Sequence, residues 1–220
     1  MDAALSRGPS IADHDFFLRA RAQLSLDVPA ALNDPAAQGK RGDLDLDPSL
    51  WERAGVAATR PAAVLIPVID RPEPTVLLTL RTELPSHPGQ IAFPGGKIDA
   101  GDASPAAAAL REAEEEIGLA RELVHPIGYL DLYLTFSGYR ILPTVARVRP
   151  EYRLVLCEAE VADAFEVPLA FLMDVQNHAL HSRDWKGITR KYYAMPFGER
   201  YIWGVTAGIL RNLYERIYQQ

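Results

Sequence analysis

Apolar positions in this chain gather into short runs set off by proline, glycine and charged residues. AAVLIPVID (62–70) is an unbroken apolar run of strand length and predicts a buried strand. TVLLTLR (75–81) follows the Arg71-Pro72-Glu73-Pro74 turn and predicts its neighbour. IAFPGGKI (91–98) predicts a third short strand, broken at Pro94-Gly95-Gly96. IGYLDLYLTF (127–136) and YRILPTVARV (139–148) predict a hairpin that turns at Ser137-Gly138. VADAFEVPLAFLMDV (161–175) reads as mostly helical and TRKYYAMPF (189–197) as a strand. YIWGVTAGILRNLYERIYQ (201–219) reads as a C-terminal helix, with Trp203 packing it onto the core. His178, His181 and Trp185 fall in an apparent polar loop. Strands interleaved with helices predict a mixed sheet covered by helices.

Residues 1–57 have a different texture and are read as an N-terminal extension and linker, ahead of a compact domain over 58–220. Ser10 and Asp13 are placed to cap a helix through FFLRARAQL. VPAALNDPAAQGKRGDLDLDPS is rich in Pro, Gly, Ala and Asp, as a linker or surface excursion is. LDLDPSLWERAG is a candidate second short helix. The extension is open to service as a homodimer arm, a lid or a tail.

The segment from Ser104 to Gly118 carries the plainest local signals. Ser104 offers a capping hydroxyl and Pro105 stands where no amide donor is needed. Alanines propagate the helix and Gly118 stops it. Ala106, Ala109, Leu110, Ala113 and Ile117 form one stripe, expected to face the core. Its last turns nevertheless carry Glu112, Glu114, Glu115 and Glu116, although a helix C-terminus favours cations. Glu112 and Glu116 form a like-charge i, i+4 pair, mildly destabilising. At 100° per residue Glu112, Glu115 and Glu116 share one sector beside the stripe, so Glu116 is expected to be partly exposed, and Glu114 lies on the other flank. Two readings stand: a solvated acidic face, or a site for a hard divalent cation such as Mg²⁺ or Mn²⁺.

Composition narrows the class. With 220 residues, 48% hydrophobic and 24% charged, the chain is long enough to bury a core and is neither disordered nor fibrous. The net charge of −6 argues against a bulk-basic nucleic-acid binder. One cysteine, Cys157, permits no intrachain disulfide. No long apolar run predicts a membrane span and MDAALSRGPS lacks a secretory core, so a cytoplasmic protein is expected.

Arg111-Glu112-Ala113-Glu114-Glu115-Glu116-Ile117-Gly118-Leu119 resembles the second half of the Nudix box, Arg-Glu-apolar-x-Glu-Glu-x-Gly-apolar. In the first half Gly96 is followed by five residues and Asp102, where the box has Glu, and eight residues rather than seven lead to Arg111. VLLTLRTELPSHPGQIAFPGGKID (76–99) is similar to the signature of the coenzyme A pyrophosphatase branch. Pro85-Ser86 stand where many of its members carry another basic residue. FEVPLAFL (165–172) and YIWGVTAGIL (201–210) also resemble that branch.

The resemblance implies a Nudix fold over 58–220, an α/β/α arrangement with a mixed sheet sandwiched between helices. It implies a hydrolase that uses water and Mg²⁺ or Mn²⁺ to cleave a small nucleoside diphosphate derivative. The branch implies coenzyme A and its acyl forms, cut to 4′-phosphopantetheine and adenosine 3′,5′-bisphosphate. Glu112 and Glu116 would be the principal metal ligands, Glu115 a third, and Arg111 their orienting partner. A box glutamate or Glu160 would be general base. Arg81, His87, Gln90 and Lys97, with Gly95 and Gly96, would surround the substrate. Tyr139 and Arg140 would line the adenosine or pantetheine side, or pack at a strand edge. The competing expectations are a Nudix pyrophosphatase for ADP-ribose or NADH, and a non-catalytic Nudix-fold nucleotide sensor.

Overall fold

The computed structural model describes residues 13–34, 36–37, 41–43, 45–47, 60–82, 89–185 and 188–219. Four helices occur among them: α1 (Asp13–Gln23), α2 (Pro105–Ile117), α3 (Leu169–Met173) and α4 (Val205–Tyr218). The strands of the main sheet are β1 (Arg41–Gly42), β2 (Arg60–Ile69), β3 (Thr75–Arg81), β4 (Ile91–Ala92), β5 (Gly95–Lys97), β6 (Val124–Tyr129), β7 (Tyr133–Leu134), β8 (Tyr139–Val148) and β9 (Val161–Pro168). A three-stranded antiparallel sheet holds β10 (Ala179–Trp185), β11 (Ile188–Phe197) and β12 (Arg200–Trp203).

β2 lies parallel to β8 along its whole length and antiparallel to β3 and β5, which makes the large sheet mixed. Successive side chains of a strand point to opposite faces, and the core divides accordingly. Ile66, Val68, Val76 and Leu78 face one cluster with residues of α1, α3 and α4. Ala63, Leu65, Ile69 and Leu77 face the other with Ala108, Ala109, Ala113 and Ile117 of α2. The result is the expected sheet between helical layers. α1 is built into the first cluster through Phe16, Phe17 and Ala20. Arg216 of α4 donates to the Gln23 carbonyl at its end (3.2 Å).

α2 forms as its sequence dictates. Ser104 Oγ accepts from the Ala107 amide at 3.1 Å, and Gly118 closes the helix in the left-handed region (φ 67°). The buried stripe is wider than expected: Ala108 is fully buried and Leu110 only half-buried. Gly138 (φ 89°) makes the 137–138 turn. The strand before it is divided, because β6 and β7 both pair antiparallel with β8 and the chain breaks register between them.

Four expectations are corrected. Residues 161–168 are a strand and not a helix; only the five residues of α3 are helical there. Ala, Glu and Leu gave a helix-like composition, but pairing along β3 overrides so weak a preference. The C-terminal segment opens with β12 before Gly204 (φ 63°) turns it into α4. Trp203 is therefore on a strand, its ring edge-on to Tyr192 at 5.5 Å. The 91–98 segment is broken as expected, but at Phe93-Pro94 only: Ile91–Ala92 pair with β3 as β4, while Gly95 and Gly96 belong to β5, hydrogen-bonded to β2. His178 does lie in the loop just before β10 but is buried beside Tyr214, and His181 is no loop residue, since it stands on β10 and stacks on Tyr192. Ser10 and most of the short helix read over 44–55 lie outside the described residues.

His178 sets a pH dependence. Its Nε2–H donates to the Leu172 carbonyl at 2.7 Å, and burial holds its pKa below the ordinary 6.5, the Leu172 contact opposing. The folded state thus binds this proton less readily than the unfolded state. Stability from this group is full above pH 6.5 and falls as pH drops towards the folded pKa. Because Glu116 titrates over the same range with the opposite sign, the measure is the difference: from pH 7.5 to pH 5.5 the wild type should lose melting temperature relative to His178→Gln, and parallel curves would exclude a His178 contribution.

Candidate active site

Arg111 organises the acidic end of α2. Its Nε and Nη2 donate to the two Asp102 oxygens, each at 3.0 Å. Nη1 donates to Glu112 (2.9 Å) and Glu115 (3.1 Å), and Nη2 also reaches the Lys97 carbonyl (3.2 Å). The guanidinium beside it holds the Asp102 carboxyl below the usual carboxylate range, and Asp102 in turn raises Arg111. A two-point Arg–carboxylate contact fixes orientation as well as charge. Asp102, where the box has Glu, thus anchors the arginine that holds two helix acids.

Glu116 differs from the expectation: it is 4% exposed. The segment after β8 crosses the helix end, with Val155 donating to the Ile117 carbonyl (3.0 Å) and Cys157 to that of Glu116 (2.9 Å). From the sheet side the Gly95 amide donates to Glu116 Oε2 at 3.2 Å, and Arg81 Nη1 stands 4.0 Å from Oε1. Burial first, then Glu112 and Glu160, push the Glu116 carboxyl up to about 7, while Gly95 and Arg81 oppose. Glu112 is raised by burial first and by Glu115 and Glu160, with Arg111 opposing. Glu160 itself is exposed on the turn before β9, its charge felt by both helix acids. Among the described residues no three His, Cys, Asp or Glu side chains are gathered closely enough to hold an ion; Arg111 holds Glu112 and Glu115 in its own contacts.

The two glycines of β5 permit close approach for different reasons. A Cβ on Gly95 (φ 153°) would lie 2.4 Å from the Ala63 carbonyl oxygen of β2. A Cβ on Gly96 would lie 2.5 Å from the Glu112 carboxylate. The sheet therefore meets the helix acids through bare backbone. Glu114, by contrast, points away to Arg121 (2.6 Å), with both side chains about half exposed. Glu114→Gln should leave turnover unchanged and cost at most about 0.5 kcal/mol, as checked by kinetics and thermal melting; a large loss of activity would reassign the acids of α2.

Beside Glu116 opens a cavity of about 790 Å³. Of the residues expected around the substrate, it brings together Arg81, Gln90 and Gly95. Gly96 stands behind, against Glu112; the Lys97 side chain is exposed and off the cavity; His87 lies outside the described residues. Tyr139 lines the cavity, with the Arg60 guanidinium 4.1 Å from its ring centre. Arg140 does not: it is 1% exposed and donates to the Ala31 and Ala37 carbonyls, each at 2.9 Å. Sequence reasoning missed Arg183, Arg190, Lys191, Tyr192 and Trp203, which line the far wall. The interleaved cations and aromatics of TRKYY were the available signal.

The fold and this site define a class: an α/β/α domain whose carboxylate-bearing helix docks on a glycine strand beside a large cavity. The NUDIX domain family matches residues 59–189, and the chain belongs to the Nudix hydrolase family. It is 43% identical over 164 residues to an uncharacterized Nudix hydrolase, NudL, of Yersinia pestis (strain Pestoides F), covering 73% of this chain and 81% of the relative. The same figures hold for NudL of Yersinia pseudotuberculosis serotype O:1b. Similar solved structures include the M. smegmatis Nudix hydrolase RenU (TM-score 0.42, 25% identity, 51% of this chain and 73% of that one). A Nudix hydrolase from Alicyclobacillus acidocaldarius is another (TM-score 0.41, 22% identity, 53% and 82%). No helix among the described residues is long and apolar enough to cross a membrane.

Proposed function

We propose that the chain is a divalent-metal-dependent pyrophosphohydrolase that cleaves the diphosphate of coenzyme A and acyl-coenzyme A. The products are 4′-phosphopantetheine and adenosine 3′,5′-bisphosphate. The observation that carries this reading is the buried Glu116 carboxylate, seated between the Gly95 amide and Arg81 where a cavity lined by cations and aromatic rings begins. Cations suit phosphates, and aromatic faces suit an adenine. The choice of coenzyme A rests further on the likeness of residues 76–99 to the coenzyme A branch.

The donor types suit Mg²⁺ or Mn²⁺, and to gather on an ion Glu112 and Glu115 would turn from Arg111 toward Glu116. Glu112 and Glu116 are hard oxygen donors whose carboxyls are raised by burial and by neighbouring acids, a strain that a divalent cation would relieve. With no side chain at Gly96, the Glu112 carboxylate packs directly against the β5 backbone. Glu112 and Glu116 would hold the metal, with Glu115 directly or through water. The ion would neutralise diphosphate charge and lower the pKa of a bound water. Arg111 orients Glu112 and Glu115; Arg81 meets the diphosphate at the cavity mouth; Glu160, exposed yet felt by both helix acids, takes the proton of the attacking water.

The test is a chromatographic substrate panel with Mg²⁺ and with Mn²⁺: coenzyme A, acetyl-coenzyme A, ADP-ribose, NADH and a nucleoside triphosphate. Release of adenosine 3′,5′-bisphosphate, blocked by EDTA, is expected to dominate. Preferential cleavage of ADP-ribose or NADH would overturn the substrate. Nucleotide binding without turnover of any compound would make the protein a sensor.

A further inference from the structure

Three of the rings that line the cavity already carry a cation. The Arg60 guanidinium lies 4.1 Å from the Tyr139 ring centre, that of Arg190 3.4 Å from Phe136 and that of Arg211 5.4 Å from Tyr193. Trp203 lines the same cavity and differs from them. Among the described residues no guanidinium lies over its ring. Its ring contact is the edge-on one with Tyr192, on which His181 stacks in turn at 5.8 Å, and this row of three rings seats the indole. Trp203 is half-buried, yet its N–H makes no hydrogen bond to a described residue, although an indole N–H taken out of water usually finds a partner.

Direct contacts tie this ring to the cleavage end. Arg81 Nη1 stands 4.0 Å from Glu116 Oε1, and the Arg81 amide donates to the Gln90 carbonyl at 3.0 Å. A Cβ on Gly204, the residue after Trp203, would lie 3.7 Å from Gln90 Nε2. Arg81, Gln90, Trp203 and Gly204 all border the one cavity. A group joined to a diphosphate held at Arg81 therefore has the indole within reach. An aromatic face binds a flat heterocycle by stacking, without charge. Trp203 also stands outside residues 59–189, so the NUDIX match assigns it nothing.

We infer that Trp203 is the platform on which the nucleobase of the substrate stacks. The indole N–H, in the plane of the ring, is placed to donate to a ribose or phosphate oxygen beside the base. The inference rests on the reading of the cavity as the nucleotide site of a pyrophosphohydrolase and adds a specificity residue to it. Coenzyme A, ADP-ribose and NADH all carry an adenine, so the platform holds whichever of them is cleaved.

The experiment compares the wild type with Trp203→Phe and Trp203→Leu, using AMP, ribose 5-phosphate and 4′-phosphopantetheine as probes. Trp51 and Trp185 stay in both variants, so the fluorescence that they lose belongs to residue 203. AMP should quench that fluorescence, and ribose 5-phosphate should not. By calorimetry the affinity for AMP relative to ribose 5-phosphate should fall about tenfold in Trp203→Leu, the scale of a lost base–aromatic stack. Trp203→Phe keeps a ring and should lose less. On the compound that is cleaved, KM should rise with kcat little changed, as expected for uniform binding. Circular dichroism checks the fold, and damage to the small sheet would weaken AMP and ribose 5-phosphate alike. Should Trp203→Leu fail to fold, the wild-type quench and Trp203→Phe decide. An unmoved ratio, a wild type that does not prefer AMP to ribose 5-phosphate, or a quench that follows 4′-phosphopantetheine instead of AMP would overturn the platform. Cleavage of ADP-ribose or NADH in place of coenzyme A would overturn the substrate and keep the platform.

Discussion

Glu116→Gln should lower kcat by about 10³-fold, the scale of removing a pre-organised electrostatic group, without loosening the fold. The amide is nearly the shape of the carboxylate and can still accept the Gly95 hydrogen bond. It lacks the charge that a cation needs. Stability should move the other way. Because the Glu116 carboxyl is raised from 4.5 to about 7, the folded state holds its proton more tightly than the unfolded state. The contribution of this group is most favourable below pH 4.5 and is lost as pH rises through about 7. At pH 8 without metal the variant should therefore melt higher than the wild type. Added Mg²⁺ or Mn²⁺ should stabilise the wild type more than the variant, since a ligand stabilises only the state that binds it. Activity within a few-fold of wild type, or an equal metal effect on both, would remove Glu116 from the metal site.

Gly96→Ala should cost about 10²-fold in turnover with little loss of stability, whereas Gly95→Ala should damage the fold. The new methyl at 96 meets the far end of the Glu112 side chain at 2.5 Å. A carboxylate can rotate away, so the helix stays docked, but Glu112 is displaced, and a misplacement near 1 Å is enough for a loss of about 10²-fold. At 95 the methyl meets the Ala63 carbonyl and the Val64 Cα of β2, at 2.4 and 2.6 Å, with a φ that an L side chain rarely adopts. The backbone of a central strand cannot yield, so β5 must unpair, at roughly 3 kcal/mol or more. Thermal melting and turnover on both variants check the pair. Full activity in Gly96→Ala would mean that Glu112 need not stand where it does.

Local chemistry was legible in the chain. The Ser104 cap, the Gly118 stop and the order of acids on α2 follow rules that act within one turn, and the structure obeys them. Burial of Glu116 was not legible, because it depends on a segment forty residues downstream closing over the helix end. The cavity wall escaped for a similar reason: Arg41 and Arg81 stand on the large sheet, Arg190 and Trp203 on the small one, and they share a cavity only because both sheets border it. β9 was misread because its residues tolerate both states and only β3 decides between them. Arg140 shows the converse error. It stands beside a turn at the site, yet its guanidinium serves the Ala31 and Ala37 carbonyls.

The family match ends at residue 189, within β11, and begins at 59, well after α1. One whole face of the large sheet is covered by α1, α3 and α4, and two of those helices lie outside the matched stretch. The stretch that the NUDIX family matches is thus shorter than the stretch that closes the core, and cutting the chain at the bounds of that match would leave one face of the sheet wet.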